Sequence, residues 1–206
     1  MITRLILIRH GVTDWNQEKR YCGHTDVPLS LKGKEQVKLL GKRLKKEDVY
    51  KVYSSDLKRT VQSARIIFKG LEMERVAGLR ELNFGCFEGL SHKEILKNYP
   101  QAYKMWMKDP SNYRIPFGEC LDGFKKRVLV SFKKIVLANR NKTIAVVSHG
   151  GTLSIFLNAI LKKKDFWGYI PQTASLSIVE HVKNKPRLVM FNDTSHLNEK
   201  FSVYKS

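Results

Sequence analysis

Two apolar runs, Leu5-Ile6-Leu7-Ile8 and Ile144-Ala145-Val146-Val147, constrain this chain more than any other feature. Neither alternates with polar residues, so a strand built from either has no face suited to water. Such strands belong in the middle of a sheet that is covered on both sides. The sequence between them supplies the covers. Ser30 precedes a helical pattern in which Val37, Leu40 and Leu44 recur, running to about Glu47. Val49 to Ser54 reads as a strand, Leu57 to Lys69 as a helix, and Met73 to Leu79 as a third strand. A long amphipathic helix from about Leu121 to Asn139 leads into the strand Thr143 to Ser148. Gly150-Gly151 opens a helix to about Leu161, and strands near Ala174 to His181 and Arg187 to Asn192 follow. This alternation predicts an α/β fold, a mostly parallel central sheet flanked by helices on both faces. One domain spans 1–206, with Gly11 to Pro28 as a polar, turn-rich loop. The aromatic, irregular segment 80–118, with short helical pieces near Lys93 and Tyr103, is expected to form a small lid or cap insertion.

The chain carries 38 Lys and Arg against 19 Asp and Glu, a formal charge of +19, with 42% hydrophobic content. That apolar share excludes disorder, while the surplus of cations calls for an anionic partner. Its distribution narrows the choice. Lys outnumbers Arg by 26 to 12, and the lysines follow the outer faces of amphipathic helices. Lys32, Lys34, Lys38, Lys42, Lys45 and Lys46 lie on one, and Lys125, Lys126, Lys133 and Lys134 on another. That is the pattern of solvated helix faces. No zinc-finger spacing or RNP-like motif accompanies it, so nucleic acid is not an expected partner. No apolar stretch approaches the about 18 residues that span a bilayer, and the run after Met1 is too short for a signal-peptide core. Cys22, Cys86 and Cys120 are odd in number and irregular in spacing, which argues against a disulfide framework. A cytoplasmic protein without membrane association is expected. The late strand near Ala174 is a candidate for pairing across a homodimer.

Arg9-His10-Gly11 directly follows the first apolar run, and Ser148-His149-Gly150-Gly151 directly follows the second. Ligands of open α/β sheets bind beyond the carboxyl ends of the strands. Two imidazoles at such ends share one crevice if the strands are neighbours. A lone histidine in either place is more often structural; the matched pair, each followed by glycine, is not. His92, His181 and His196 lack this setting. The helix after Gly151 adds its positive N-terminal end. Arg9 adjoins His10, and Arg59 stands at a strand-to-helix junction within Ser54-Ser55-Asp56-Leu57-Lys58-Arg59-Thr60. Taken alone, Arg59 reads as a surface residue of a first helical turn. Two arginines and two histidines in one crevice form a receptor for a phosphoryl dianion. The sequence has no P-loop, no Cys followed six residues later by Arg, and no His-Glu-x-x-His. Acidic clusters suited to metals are thin, so neither metal nor other cofactor is expected. What remains is a histidine attacking phosphorus directly.

Leu7-Ile8-Arg9-His10-Gly11 with Thr13 and Trp15-Asn16 resembles the histidine phosphatase (phosphoglycerate mutase-like) superfamily. So do Tyr21-Cys22-Gly23-His24-Thr25-Asp26-Val27-Pro28-Leu29, Ser54 to Thr60 with Ser63-Ala64, Leu79-Arg80-Glu81-Leu82 with Phe87-Glu88-Gly89, and Val147 to Gly151. The resemblance implies that His10 becomes phosphohistidine and that Arg9, Arg59 and His149 bind the phosphoryl oxygens. Glu81 is implied as general acid and then base, protonated by burial beside aromatic residues such as Phe84. Asn16, Cys22, Gly23 and Gly150 are implied as substrate-binding, with an anionic small-molecule phosphate ester as substrate. Mutases of the superfamily carry a longer insertion after the Glu-Gly element, with a Glu-Arg-His-Tyr-Gly motif. Here Gly89 runs into Leu90-Ser91-His92-Lys93, which favours water as acceptor. Phe117-Gly118-Glu119-Cys120 and the tail Asn192-Asp193-Thr194-Ser195-His196-Leu197 resemble the α-ribazole phosphatase branch of cobalamin synthesis. General phosphatases and metal-independent phosphoserine phosphatases share these features. Val12, Cys22 and Cys120 depart from residues common in the family, namely Glu, Gln or Thr, and Ser. The thiol of Cys22 at the substrate's edge is expected to confer sensitivity to oxidants.

Overall fold

The first apolar run becomes strand β1 (Ile2–Arg9), and the alternation of its side chains decides what packs on each face of the sheet. The computed structural model describes residues 2–163, 168–183 and 185–197. After β1 come α1 (Asp14–Gln17), α2 (Leu31–Arg43), β2 (Lys51–Ser54), α3 (Lys58–Ile67) and β3 (Met73–Arg75). Two 3₁₀ turns, Ala77–Leu79 and Gly85–Phe87, lead to α4 (His92–Asn98) and α5 (Pro100–Lys108). Then follow α6 (Leu121–Ala138), β4 (Thr143–Ser148), α7 (Gly150–Leu161), β5 (Leu176–Val182) and β6 (Lys185–Asp193).

The six strands form one sheet in the order β3-β2-β4-β1-β5-β6. β1, β2, β3 and β4 run parallel, while β5 is antiparallel to β1 and to β6. Leu5, Leu7, Ile144 and Val146 point to one face, where Phe124, Val128 and Phe132 of α6 and Leu153 and Phe156 of α7 cover them. Ile6, Ile8, Ala145 and Val147 point to the other, under Val37 and Leu40 of α2 and Ala64 and Ile67 of α3. Each large apolar side chain removed from water in this way contributes about 1.5–3 kcal/mol. The α/β class, the parallel core and the two helical layers match the expectation. Ser30 caps α2 by accepting from the Gly33 amide at 3.1 Å.

Several details differ. The turn-rich loop holds α1, whose capping box joins Thr13 and Asn16. β3 stops at Arg75 and gives way to a 3₁₀ turn, because the carbonyls of Gly78 and Leu79 accept from Arg127 and Ser148 instead of a sheet neighbour. Segment 80–118 seats Phe87, Ile95, Trp106 and Ile115 in the core beside α6. β5, starting just after Ala174, has both edges filled, by β1 and β6, so it offers no edge to a second copy. Among the described residues the end strands of the sheet are β3 and β6. The three cysteines are free. Among the described residues, no helix is long and apolar enough to cross a membrane.

Candidate active site

Because β1 and β4 are parallel neighbours with Arg9 in register with Ser148, the residues that follow them emerge side by side. The rings of His10 and His149 lie 5.2 Å apart, inclined at 64°. His10 is 3% exposed and His149 fully buried. His10 Nδ1 lies 2.7 Å from the Gly11 carbonyl. A carbonyl only accepts, so Nδ1 carries the proton and Nε2 keeps its lone pair. His149 is the opposite tautomer, for its Nδ1 accepts from Arg59 Nε at 3.2 Å. Its proton therefore sits on Nε2, which has no hydrogen-bond partner among the described residues.

Arg59 is wholly buried on the first turn of α3. Its Nη1 donates to the Thr25 carbonyl at 2.9 Å and its Nη2 to the Gly23 carbonyl at 2.6 Å. Ser63 donates to the Arg59 carbonyl and accepts from the Gly11 amide, tying α3 to the end of β1. Arg9 Nη1 donates to the Pro171 carbonyl at 2.7 Å. Burial first, and then the charges of Arg59 and Arg9, hold the His10 imidazole well below its ordinary pKa. Burial followed by Arg59 does the same to His149. Both rings are neutral near neutral pH.

Glu81, 9% exposed, accepts from the Leu82 amide at 2.9 Å and the Gly151 amide at 2.8 Å. Burial raises its pKa, against the pull of those two amides and the two arginines. Its backbone is pinned as tightly. Arg127 donates to the carbonyls of Gly78, Arg80 and Glu81, and Thr152 donates to that of Arg80. Arg80 grips Asp56 through two bonds of 2.7 and 2.6 Å.

A cavity of about 240 Å³ adjoins Arg9 and Glu81, while His10, Arg59 and His149 are not among the residues that line it. Arg9, Glu81, Asn16, Cys22 and Gly150 line it, together with Arg20, Tyr21, Phe84, Gly151 and Ile170. Gly150 packs closely here: a Cβ there would sit 3.1 Å from Arg9 Cζ and 3.0 Å from Ile170, so either side chain would have to shift slightly. Of the four residues that the resemblance implies as substrate-binding, Asn16, Cys22 and Gly150 line the cavity. Gly23 is different: its amide donates to Glu88 and its carbonyl accepts from Arg59, so its backbone is spent on the scaffold rather than on a substrate. The thiol of Cys22 is free and partly exposed at the cavity. Burial pushes that thiol up to about 11, a direction that disfavours the thiolate an oxidant attacks. His92, His181 and His196 lie outside the cavity lining. Arg20 and Ile170 were not singled out from sequence, and Tyr21, Gly151 and Glu88 stood in the quoted motifs without a role of their own. Among the described residues, no cluster of His, Cys, Asp and Glu has the arrangement of a metal site.

Comparison with known proteins agrees with this geometry. The chain is 32% identical over 202 residues to phosphoserine phosphatase 1 of Hydrogenobacter thermophilus, covering 96% of each chain. It is 37% identical over 154 residues to phosphoglycerate mutase-like protein 4 of Arabidopsis thaliana, 72% of this chain and 67% of that one. Among solved structures it resembles the α-ribazole phosphatase of Shigella flexneri, with TM-score 0.87 and 27% identity over 93% of this chain and 96% of the other. Residues 5–194 match the family described as histidine phosphatase superfamily (branch 1), and the chain belongs to that superfamily.

Proposed function

We propose that the protein is a metal-independent phosphomonoesterase that hydrolyses small phosphate esters through a phosphohistidine at His10. One observation carries this reading: a neutral imidazole with a free Nε2 lone pair and a carboxyl raised toward its protonated form share one buried crevice with two arginines. The lone pair of His10 Nε2 attacks phosphorus while the ester P–O bond breaks, and Glu81 gives its proton to the departing oxygen. Arg9, Arg59 and the Nε2–H of His149 meet the charge that gathers on the phosphoryl oxygens. Water then attacks the phosphohistidine, with the Glu81 carboxylate taking its proton. The P–N bond breaks, and phosphate leaves with His10 and Glu81 restored.

The walls favour an uncharged leaving group. Tyr21, Phe84 and Ile170 offer apolar surface. Arg20, the cation beyond the phosphoryl receptor, is already countered by Glu18 and Glu94. A leaving group that brings its own carboxylate, as in phosphoserine or phosphoglycerate, finds no fresh cation there among the described residues. α-Ribazole 5′-phosphate, whose leaving group is an uncharged nucleoside-like alcohol, suits the cavity better. A kinetic screen of α-ribazole phosphate, phosphoserine, phosphoglycerates and p-nitrophenyl phosphate tests both levels of the proposal. His10→Ala must abolish turnover, chelators must leave it unchanged, and an acid-labile, alkali-stable phosphoenzyme must map to His10. Higher kcat/KM for phosphoserine would remove the leaving-group assignment. Transfer of the phosphoryl group to a second position of a sugar acid would replace hydrolysis by a mutase reaction.

A further inference from the structure

The structure assigns Glu88 a positioning role in this reaction: its carboxylate fixes the 23–25 loop, and through it the orientation of Arg59 and the tautomer of His149. The assignment rests on the proposed phosphohistidine chemistry, but its geometry stands apart from it.

Glu88 follows the second 3₁₀ turn, more than sixty residues from the loop it holds. Its Oε1 accepts from the His24 amide at 2.8 Å and the Phe84 amide at 3.1 Å. Its Oε2 accepts from the amides of Gly23 and Thr25, each at 3.1 Å. One carboxylate thus gathers four backbone N–H groups from two segments, and three of them are consecutive. Consecutive amides turned toward one anion leave their carbonyls facing away from it. Those of Gly23 and Thr25 accept the two terminal nitrogens of Arg59.

The guanidinium is planar and rigid, so fixing its two Nη atoms fixes its Nε–H as well. That N–H donates to His149 Nδ1 and so keeps the His149 proton on Nε2. Glu88 touches neither histidine and does not line the cavity, so it acts through Arg59. Gly23 shows how close the packing is. A Cβ there would lie 3.1 Å from the Leu82 carbonyl carbon and would overlap both the Leu82 oxygen and the Glu88 carboxylate. Alanine at Gly23 therefore attacks the same contact from the other side.

The test compares Glu88→Gln and Gly23→Ala with wild type in kcat, KM, thermal midpoint and the acid limb of the kcat/KM profile. Glutamine keeps the shape but turns an amide NH₂ against N–H donors, releasing at least two of the four bonds. The expected result is a fall in kcat of about 10–100-fold, the scale of a small misplacement of catalytic groups. His10 is faced by Arg9, Arg59 and His149, and losing the fixed Arg59 relieves part of its suppressed basicity. The acid limb should therefore move upward by at least about half a pH unit. A residue that served only fold stability would lower the thermal midpoint and leave the limb in place. That result overturns the assignment, as does a folded Glu88→Gln variant whose kcat stays within about twofold of wild type. A third measurement needs no variant. In wild type the amides of Gly23, His24 and Thr25 must be protected from hydrogen exchange although they lie outside helices and strands; fast exchange there also refutes it. Should wild type form no phosphohistidine, the proposed chemistry falls, while the exchange experiment still judges the hold of Glu88 on the loop.

Discussion

Replacing Gly151 by alanine should separate the two duties assigned to Glu81. Gly151 lies in the first turn of α7 with its amide on Glu81 Oε2. A Cβ built there falls 3.2 Å from Glu81 Cδ and 3.3 Å from Oε2, and closer still to Oε1. The obstacle is the end of a flexible side chain, so the carboxyl gives way and the helix does not. The effect on stability is small. Alanine gains about 1 kcal/mol over glycine within a helix, and the lost amide–carboxyl bond costs about the same. Catalysis is another matter, since a displaced general acid forfeits about 10²–10⁴-fold. The loss should depend on the leaving group. An alkyl ester must receive a proton as it departs, so formation of the phosphoenzyme slows. p-Nitrophenolate departs without one, so that step survives, and only hydrolysis of the phosphohistidine, which needs Glu81 as base, is impaired. Stopped-flow mixing of Gly151→Ala with p-nitrophenyl phosphate should show a burst near one equivalent of enzyme sites followed by slow turnover, and no burst should appear with an alkyl ester. Equal losses with both esters and no burst would refute the two-role assignment. Unchanged activity would show that the carboxyl need not sit where it is found.

Three further outcomes follow from the same contacts. With alkyl esters kcat/KM should be bell-shaped: His10, held below about 6.5, keeps its lone pair into mildly acid solution, while activity falls as pH rises through the raised pKa of Glu81. His10 and His149 have depressed pKa values in the folded protein, so the unfolded chain binds more protons below about 6.5, and stability should fall with acidification by up to about 1.4 kcal/mol per pH unit for each ring; flat denaturant midpoints between pH 7 and 5 would contradict this. Phe87→Ala, which empties a wholly buried position among Tyr21, Tyr99, Tyr103 and Trp106, should cost about 3–5 kcal/mol by urea unfolding.

What the sequence disclosed and what it hid divide along physical lines. Strand-end histidines and the apolar runs before them are local signals, and β1, β4, His10 and His149 could be placed from them. The helical period did the same for α2 and α6. The hidden parts depend on pairs far apart in the chain. Nothing around Glu88 indicates that its carboxylate ends on the amides of 23–25, and nothing around Gly23 indicates that its carbonyl is owed to Arg59. β3 has a strand-like sequence through Leu79, yet Arg127 and Ser148 claim the carbonyls of Gly78 and Leu79. Arg20 could not be told from the other surface cations by composition. Only the fold sets it against the cavity with Glu18 and Glu94 as partners.

The charge of the chain acts on two separate scales. Most of the described basic residues are exposed to water, where a Debye length of about 8 Å at physiological salt erases their effect beyond the nearest neighbours. Arg59 lies fully buried, and Arg9 Nη1 is bonded to the Pro171 carbonyl within the crevice, so their fields act on neighbours without that screening. The same crevice disfavours ionisation of either sign. Burial is the largest influence on His10, on His149 and on Glu81 alike, and it drives the imidazoles toward the free base and the carboxyl toward the acid. The arginines reinforce this at the histidines and oppose it at Glu81. The proposed nucleophile and the proposed acid thus owe their protonation states first to the same burial. Hydrogen bonds from Arg127, Thr152 and Ser148 to backbone carbonyls, and from the 23–25 amides to Glu88, fix the segments that carry Glu81 and that hold Arg59.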